Sequence, residues 1–213
     1  MFDKLKTILS KCDAEYADLR YEIKKETLVV FNGKELTQIG SNSTDGFVLR
    51  VLIKGGLSSI AFTKESDAER AVRTARENAL LIARNIKQPV TFAKAEPVKD
   101  TFVPPLEEDP RNISIDEKLE LTQRYNSIAL SHDKIATTAT DYMELARGKY
   151  FVSSEGSEVR EDLITTRCGG SITSKDGDLI QNVRVGIGGS NGFQVRETRK
   201  KNLRRRRQSL FSS

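Results

Sequence analysis

The sequence predicts an α+β fold of two modules, each a mainly antiparallel sheet with helices packed on it. Three observations lead to this prediction. Apolar residues recur at helical spacing near the start of each module, other runs alternate apolar and polar residues, and tight-turn sequences join consecutive runs. Of the 213 residues 37% are hydrophobic, which suffices to bury a core. All five prolines lie in residues 87–113, so we place a linker there, between modules at 1–86 and 114–195.

The first module opens with a helix over residues 2–12, whose apolar side chains fall on one face. Residues 17–24 alternate apolar and charged side chains with a period of two, which is typical of a half-buried strand. Two further strand-like runs, 27–31 and 36–41, flank the pair Asn32-Gly33. Because Asn-Gly favours the positive φ angles of a two-residue turn, this segment predicts a β-hairpin.

A second hairpin is predicted from residues 46–53 and 57–62, with the glycines of Lys54-Gly55-Gly56 supplying the positive φ angles of its turn. Thr63 is the expected cap of a helix that follows over residues 64–86. Small apolar residues on the inward face of that helix suit close packing on a sheet. The predicted stripe comprises Ala68, Ala71, Val72, Ala75, Ala79, Ile82 and Ala83.

The second module opens with a helix that we expect to end near Leu130. Ser114 and Glu117 have the spacing of a capping box at its start. Predicted strands follow at 135–146, 149–153, 159–174 and 179–188, with turns at Arg147-Gly148-Lys149 and Lys175-Asp176-Gly177-Asp178. The module is therefore expected to be a helix followed by an antiparallel meander.

The charge of the chain is concentrated at its end. The net charge is +5, but residues 196–213 alone carry eight Lys or Arg and one Glu, so the remainder sums to −2. A nearly neutral body argues against nucleic-acid binding over its surface. Charged residues elsewhere, at 158 and 160–162 and at Arg50 and Lys54, are expected to form solvated faces.

Few residues of this chain could carry metal or nucleophilic chemistry. It has one histidine, His132, two cysteines, Cys12 and Cys168, and no HExxH spacing. A hydrolytic zinc site commonly draws three ligands from His, Asp, Glu and Cys. We therefore expect no metal, cofactor-binding or catalytic residue here. His132 is expected to be exposed at a helix end, and the cysteines to be small buried residues.

Three further motifs are better explained by a structural role than by ligand binding or catalysis. Gly186–Gly192 lacks the spacing of a phosphate loop, which favours a glycine-rich strand end. Asp176–Asp178 resembles a calcium loop but has no glutamate at the twelfth position, which favours a hairpin turn. The pair His132-Asp133 has no Ser or Cys nucleophile context, so it is not expected to be catalytic.

Two stretches of sequence together resemble one known family. Residues 16–63, YADLRYEIKKETLVVFNGKELTQIGSNSTDGFVLRVLIKGGLSSIAFT, followed by an alanine-rich helix, are similar to the first domain of the TldD/PmbA peptidases. FVSSEGSEVRED at 151–162 and TTRCGGSITSKDGDLIQN at 165–182 resemble that family's central domain. The resemblance covers about residues 12–195 and lies in the order and spacing of the motifs.

The resemblance implies a function that this chain carries only in part. TldD-type members are zinc metallopeptidases acting on peptides or unfolded chains, commonly paired with a metal-free PmbA-type subunit. Their zinc ligands come from an HExxxH helix and a Cys beyond the central domain, so no ligand is transferred to a residue here. We expect a non-catalytic N-terminal part that is truncated before the zinc site, inactive alone, and oligomeric with itself or with a TldD/PmbA-type subunit.

Two alternatives remain open from the sequence. The chain could be a metal-free PmbA-like partner or binding module, or it could bind nucleic acid through its basic tail. The tail at 196–213 departs from the family, and we expect a frameshift near codon 196 to have created it. Two widely spaced cysteines and the lack of a signal peptide or an 18-residue apolar run lead us to expect a cytoplasmic protein without membrane contact.

Overall fold

The computed structural model describes residues 1–190 together with residues 192 and 193. Its helices are α1 (Phe2–Leu9), α2 (Ala68–Asn85) and α3 (Ile115–Leu130). Its strands are β1 (Tyr16–Asn32), β2 (Glu35–Ile53), β3 (Gly56–Phe62), β4 (Lys99–Phe102), β5 (Ile135–Ser153), β6 (Glu158–Asp176) and β7 (Leu179–Gly189). The basic tail at 196–213 and the last residues of the second predicted module lie outside the described residues. In the described part of the chain, no helix is long and apolar enough to cross a membrane.

The strands hydrogen-bond in the order β3-β2-β1-β5-β6-β4, and β7 pairs with β6. β2 with β3 and β6 with β7 are antiparallel, whereas β4 joins β6 in parallel. The predicted α+β class is confirmed. Two compact units are interleaved along the chain. The first unit comprises Met1–Lys24, Thr44–Val103 and Arg147–Asp162, and the second comprises Lys25–Ser43, Pro104–Ala146 and the described residues from 163 onward.

The predicted linker at 87–113 contains secondary structure of its own. β4 lies within it and pairs with the first residues of β6. A 3-10 turn at Pro110–Asn112 is capped by Asp109, whose carboxylate accepts a 2.9 Å hydrogen bond from the amide of Arg111. Each compact unit takes segments from both sides of residues 87–113. The division into modules at 1–86 and 114–195 stays a prediction.

The long strands replace pairs of shorter predicted ones. β1 joins the runs at 17–24 and 27–31, and β5 runs without a break through the turn predicted at Arg147-Gly148-Lys149. That turn prediction is wrong. A Cβ on Gly148 would lie 3.3 Å from Cγ2 of Ile23 and 3.4 Å from Oδ1 of Asp162, so the glycine permits a close approach within the strand.

The second hairpin forms where it is predicted, but the residues with positive φ angles in its turn are not the two expected glycines. β2 and β3 pair from Phe47↔Phe62 to Ile53↔Gly56. The positive φ angles are 49° at Lys54 and 78° at Gly55, as in a two-residue hairpin turn. Gly56 instead opens β3 beside α2. A Cβ there would lie 2.1 Å from the carbonyl oxygen of Ala79.

Helix α2 packs its small residues inward as predicted, but its ends differ. A 3-10 turn at Glu65–Asp67 precedes it, and the helix begins at Ala68, so Thr63 is not its cap. The side chain of Ile82 is exposed near the C-terminus. The buried core of the first unit comprises Leu5, Ile8, Leu9, Ala17, Leu19, Phe47, Leu49, Val51, Ile53, Ala68, Val72, Ala75, Ala79 and Val152.

Helix α3 begins and ends as predicted, and most of its buried residues are polar. The hydroxyl of Ser114 accepts a 3.1 Å hydrogen bond from the amide of Glu117, which confirms the N-cap. Ile128 is 59% exposed. The buried residues of α3 are Lys118, Leu121, Thr122 and Asn126. The buried apolar core of the second unit comprises Val29, Phe31, Leu121, Tyr142, Cys168 and Phe193.

We predict that Gly56→Ala lowers the free energy of unfolding by about 3 kcal/mol, because the added methyl group overlaps the backbone of α2. Gly40→Ala in β2 is the matched control, since no atom lies within 4 Å of its Cβ position. Urea unfolding of the two variants makes the comparison. Equal midpoints would show that β3 and α2 are not packed as closely as described.

Candidate binding groove and buried polar clusters

The residues that the sequence offered for chemistry are dispersed in the structure. His132 is exposed just after α3, as predicted. Cys168 is buried, as predicted, whereas Cys12 is only half-buried, and burial raises the pKa of its thiol. Both cysteines are free thiols. Over residues 1–190, 192 and 193, no group of three or more His, Cys, Asp or Glu residues is placed to hold a metal ion. The described residues therefore do not fit a zinc site.

Arg50 does not belong to a solvated face, which corrects that expectation. Its Nε lies 2.9 Å and its Nη2 2.5 Å from Oδ2 of Asp18, a fully buried carboxylate on β1. Tyr16 lies near this pair, and burial, together with the charge of Asp18, raises its pKa to about 12. The ring of Phe92 packs edge-on against that of Tyr16, with 4.9 Å between the ring centroids. Because Arg50 engages both carboxylate oxygens of Asp18, the pair holds β1 and β2 together rather than presenting a reactive group.

A second buried ion pair joins α3 to β5 in the second unit. Nζ of Lys118 lies 2.7 Å from Oε2 of Glu144, and both side chains are about 95% buried. The hydroxyl of Tyr142 donates to the same oxygen at 2.9 Å. Burial and then the charge of Glu144 raise the pKa of the Tyr142 hydroxyl well above its usual range. This hydroxyl therefore remains a hydrogen-bond donor at physiological pH.

About two turns further along α3, Asn126 forms a neutral polar network. Its amide nitrogen donates to the carbonyl of Gly33 at 2.7 Å, at the turn between β1 and β2. Its amide oxygen accepts from the hydroxyls of Thr138 at 2.5 Å and Thr140 at 3.0 Å on β5. Thr122 donates to the carbonyl of Lys118 within the helix. Buried polar groups with such partners fix the register of a helix on a sheet.

These polar residues could have been noticed in the sequence. Lys118, Thr122 and Asn126 recur every four residues, so they form one stripe along α3. A polar stripe with this period usually marks the solvated face of a helix. The partners that reverse this interpretation, Glu144 and Thr138, lie on a distant strand, and nothing local in the sequence connects them to α3.

A third cluster lies in the first unit around Glu158. Its two carboxylate oxygens each lie 3.1 Å from a lysine ammonium, that of Lys6 on α1 and that of Lys99 on β4. These two hydrogen bonds, first that of Lys99, lower the pKa of Glu158 below its usual value. One carboxylate thus connects α1, β4 and β6. The expectation that Glu158 lies on a plain solvated face misses these partners.

An open groove on the second unit is the best candidate for ligand binding. It has a volume of about 410 Å³. It is lined by Glu26, Thr27, Leu28, Gln38, Ile39, Gly40, Ser41, Asn42 and Met143. The lining combines apolar side chains from β1, β2 and β5 with amides and hydroxyls. Such a lining suits an extended chain with mixed side chains. The hydroxyl of Ser41 bonds that of Thr27 at 2.9 Å and no histidine lines the groove, so we assign it binding and not nucleophilic catalysis.

We predict that Lys118→Met lowers the free energy of unfolding by about 3–5 kcal/mol, because Glu144 would keep a buried charge without its partner. The double variant Lys118→Met/Glu144→Gln should recover most of this loss, since a glutamine amide still accepts from Tyr142. Lys134→Met is the control, because its ion pair with Asp176 is exposed and should contribute less than about 1 kcal/mol. Denaturant titration measures all three, and equal losses for the two single variants would contradict the assignment.

We predict an acid-dependent contribution to stability from Glu158. A carboxylate with a lowered folded pKa stabilises the fold above its unfolded pKa of about 4.3, and the contribution is lost as pH falls through the folded value. Glu158→Gln should therefore melt below the wild type at neutral pH, and the two melting temperatures should converge as pH falls through the lowered pKa of Glu158. Glu96→Gln, at an exposed position, controls for the charge change. Melting curves that stay equally far apart at every pH would refute this role.

Comparison with known proteins assigns the chain to a family. The model of PmbA/TldA metallopeptidase domain 1 matches residues 17–79, and that of the PmbA/TldA metallopeptidase central domain matches residues 108–210. The second match extends into the basic tail, and the out-of-frame origin of that tail stays a prediction.

Similar whole proteins are named metalloproteases. One from Synechocystis sp. is 27% identical over 183 residues, and one from Methanothermobacter thermautotrophicus is 26% identical over 185 residues. These alignments cover 84% and 86% of this chain but 39% of each relative. The crystal structure of TldE from Thermococcus kodakarensis shares the fold with a TM-score of 0.76 at 14% identity, over 92% of this chain and 45% of that one. The two domain matches, in the family's order, establish that this chain belongs to the PmbA/TldD metallopeptidase family.

Proposed function

We propose that this chain supplies the non-catalytic first and central domains of a TldD/PmbA-type zinc metallopeptidase and does not hydrolyse peptides by itself. The observation that carries the proposal is the match to the two domain models, in a chain that spans 39% of the metalloproteases it resembles. The chemistry of the described residues agrees with it. Asp18 and Glu144 are buried against cations, and Glu158 bridges two lysines.

The proposed role is to bind chains and subunits. The groove offers the apolar side chains of Leu28, Ile39 and Met143 together with hydrogen-bonding groups, a combination that fits a peptide or an unfolded chain. We propose that the protein assembles with a TldD/PmbA-type subunit that carries the zinc. Two free thiols fit the reducing environment of the cytoplasm. Nucleic-acid binding is not part of this proposal. The excess of positive charge is confined to residues 196–213, and the rest of the chain sums to −2.

We predict that the purified chain, supplied with zinc, does not cleave a library of quenched fluorescent peptides. Metal analysis of the same sample should find less than one zinc per chain after dialysis. Added to a separately purified, zinc-loaded TldD-type subunit, the chain should co-elute with it, and the zinc should remain with that subunit.

Peptide cleavage by the isolated chain that a chelator abolishes and zinc restores would overturn the proposal. In that case the variants His132→Ala and Cys168→Ala would show whether either residue holds the metal. If the TldD-type subunit elutes at the same volume with and without this chain, the assembly part of the proposal is wrong.

A further inference from the structure

The groove of the second unit carries negative charge. Among the described residues that line it, Glu26 is the one ionisable side chain, so the lining offers no cation to an acidic ligand. A further carboxylate, that of Asp141, lies two residues before Met143 on β5. Because side chains alternate along a strand, Asp141 lies on the same face as Met143, about 7 Å along the strand from it. The groove is therefore continued on β5 by a second acidic residue.

Asp141 has an incomplete set of partners. Its Oδ2 is buried, and in the part of the chain that the structure describes no group donates a hydrogen bond to it. Nη1 of Arg167 on β6 lies 3.3 Å from this oxygen, and Nη2 donates to Oδ1, also at 3.3 Å. Good charge-assisted hydrogen bonds measure about 2.7–2.9 Å. Burial raises the pKa of Asp141 against the opposing effect of Arg167, so a closer cation would stabilise this carboxylate.

The side chain of Arg167 is loosely held on its other side. It is 49% exposed. Its partner in the register of β6 with β7 is Gly188, and a Cβ on Gly186 would lie 4.0 Å from its Nε. Two glycines thus occupy the positions from which β7 side chains would otherwise pack against Arg167. The guanidinium can therefore turn away from Asp141 without breaking a side-chain contact at these two positions.

We propose that Asp141 binds an ammonium group of the chain held in the groove, while Arg167 turns aside to admit it. An ammonium is a compact cation with three donors, so it can approach Oδ2 more closely than the guanidinium does. The exchange of one cation for another keeps the buried carboxylate paired. The ammonium is either the N-terminal amine of a peptide or the side chain of a lysine. This inference rests on the proposed peptide-binding role of the groove and states which peptides it prefers.

Three dye-labelled peptides of Ala, Ser and Thr test the proposal. The first has a free N-terminal amine, the second is acetylated, and the third is acetylated but has one central lysine. The wild-type chain should bind the first or the third about tenfold more tightly than the second, because each of these two supplies an ammonium. The peptide with the larger gain identifies the source of that group. Fluorescence anisotropy measures each dissociation constant.

Two variants should change this preference in opposite directions. Asp141→Asn keeps the shape of the side chain but removes its charge, so all three peptides should bind like the acetylated one without lysine. Arg167→Gln removes the competing cation, so the preference for an ammonium should increase. Asp178→Asn is the matched control for the loss of a carboxylate, since it lies exposed in the turn before β7 and should bind like the wild type. Circular dichroism confirms that each variant is folded.

The outcomes separate this inference from the proposed function. A wild-type chain that binds all three peptides equally would overturn the ammonium site and leave peptide binding intact. So would an Asp141→Asn variant that keeps the full preference. If Asp141→Asn does not fold, Arg167→Gln carries the test, and an unchanged or smaller preference in that variant would count against the site. A wild-type chain that binds none of the peptides would overturn the peptide-binding role and the ammonium site together.

Discussion

The buried ion pair between Lys118 and Glu144 is the interaction on which the second unit depends most. Among the described residues its buried apolar core has six members, one of which, Leu121, comes from α3. Ile115, Leu119 and Tyr125 of the helix pack against this core, and polar contacts join the helix to β5 and to the turn at Gly33. Such contacts are directional, so they define one position of the helix, but each leaves a costly unpaired group when its partner is lost. The first unit differs, since small residues of α2 pack on an apolar core there.

The sequence predicts the local elements well where the signal is itself local. The hairpin turn at Lys54-Gly55 and the cap at Ser114 depend on residues within four positions of each other, and both form at the expected positions. Errors arise where a distant residue decides. Gly148 lies in a sequence typical of a turn, but it is part of β5, where its lack of a side chain permits the close approach of Ile23. The error at Thr63 is instead local, because a 3-10 turn at Glu65–Asp67 lies between this residue and the start of α2.

The same distinction applies to the candidate sites. That His132 is exposed and Cys168 buried follows from composition and local pattern. Arg50 and Glu158 were expected on solvated faces because alternating charged residues usually lie there. Their partners, Asp18 for one and two lysines for the other, come from other elements. The groove depends on three strands at once, which no single stretch of sequence specifies.

The interleaving of the two units has a consequence for synthesis on the ribosome. The first unit draws its last segment from Arg147–Asp162, and that segment supplies Val152 to its core and Glu158 to its ion pairs. The N-terminal residues therefore cannot complete their core when they first emerge from the exit tunnel. They must wait until residues 147–162 have been translated and have left the tunnel, with apolar surface open to chaperones during that interval.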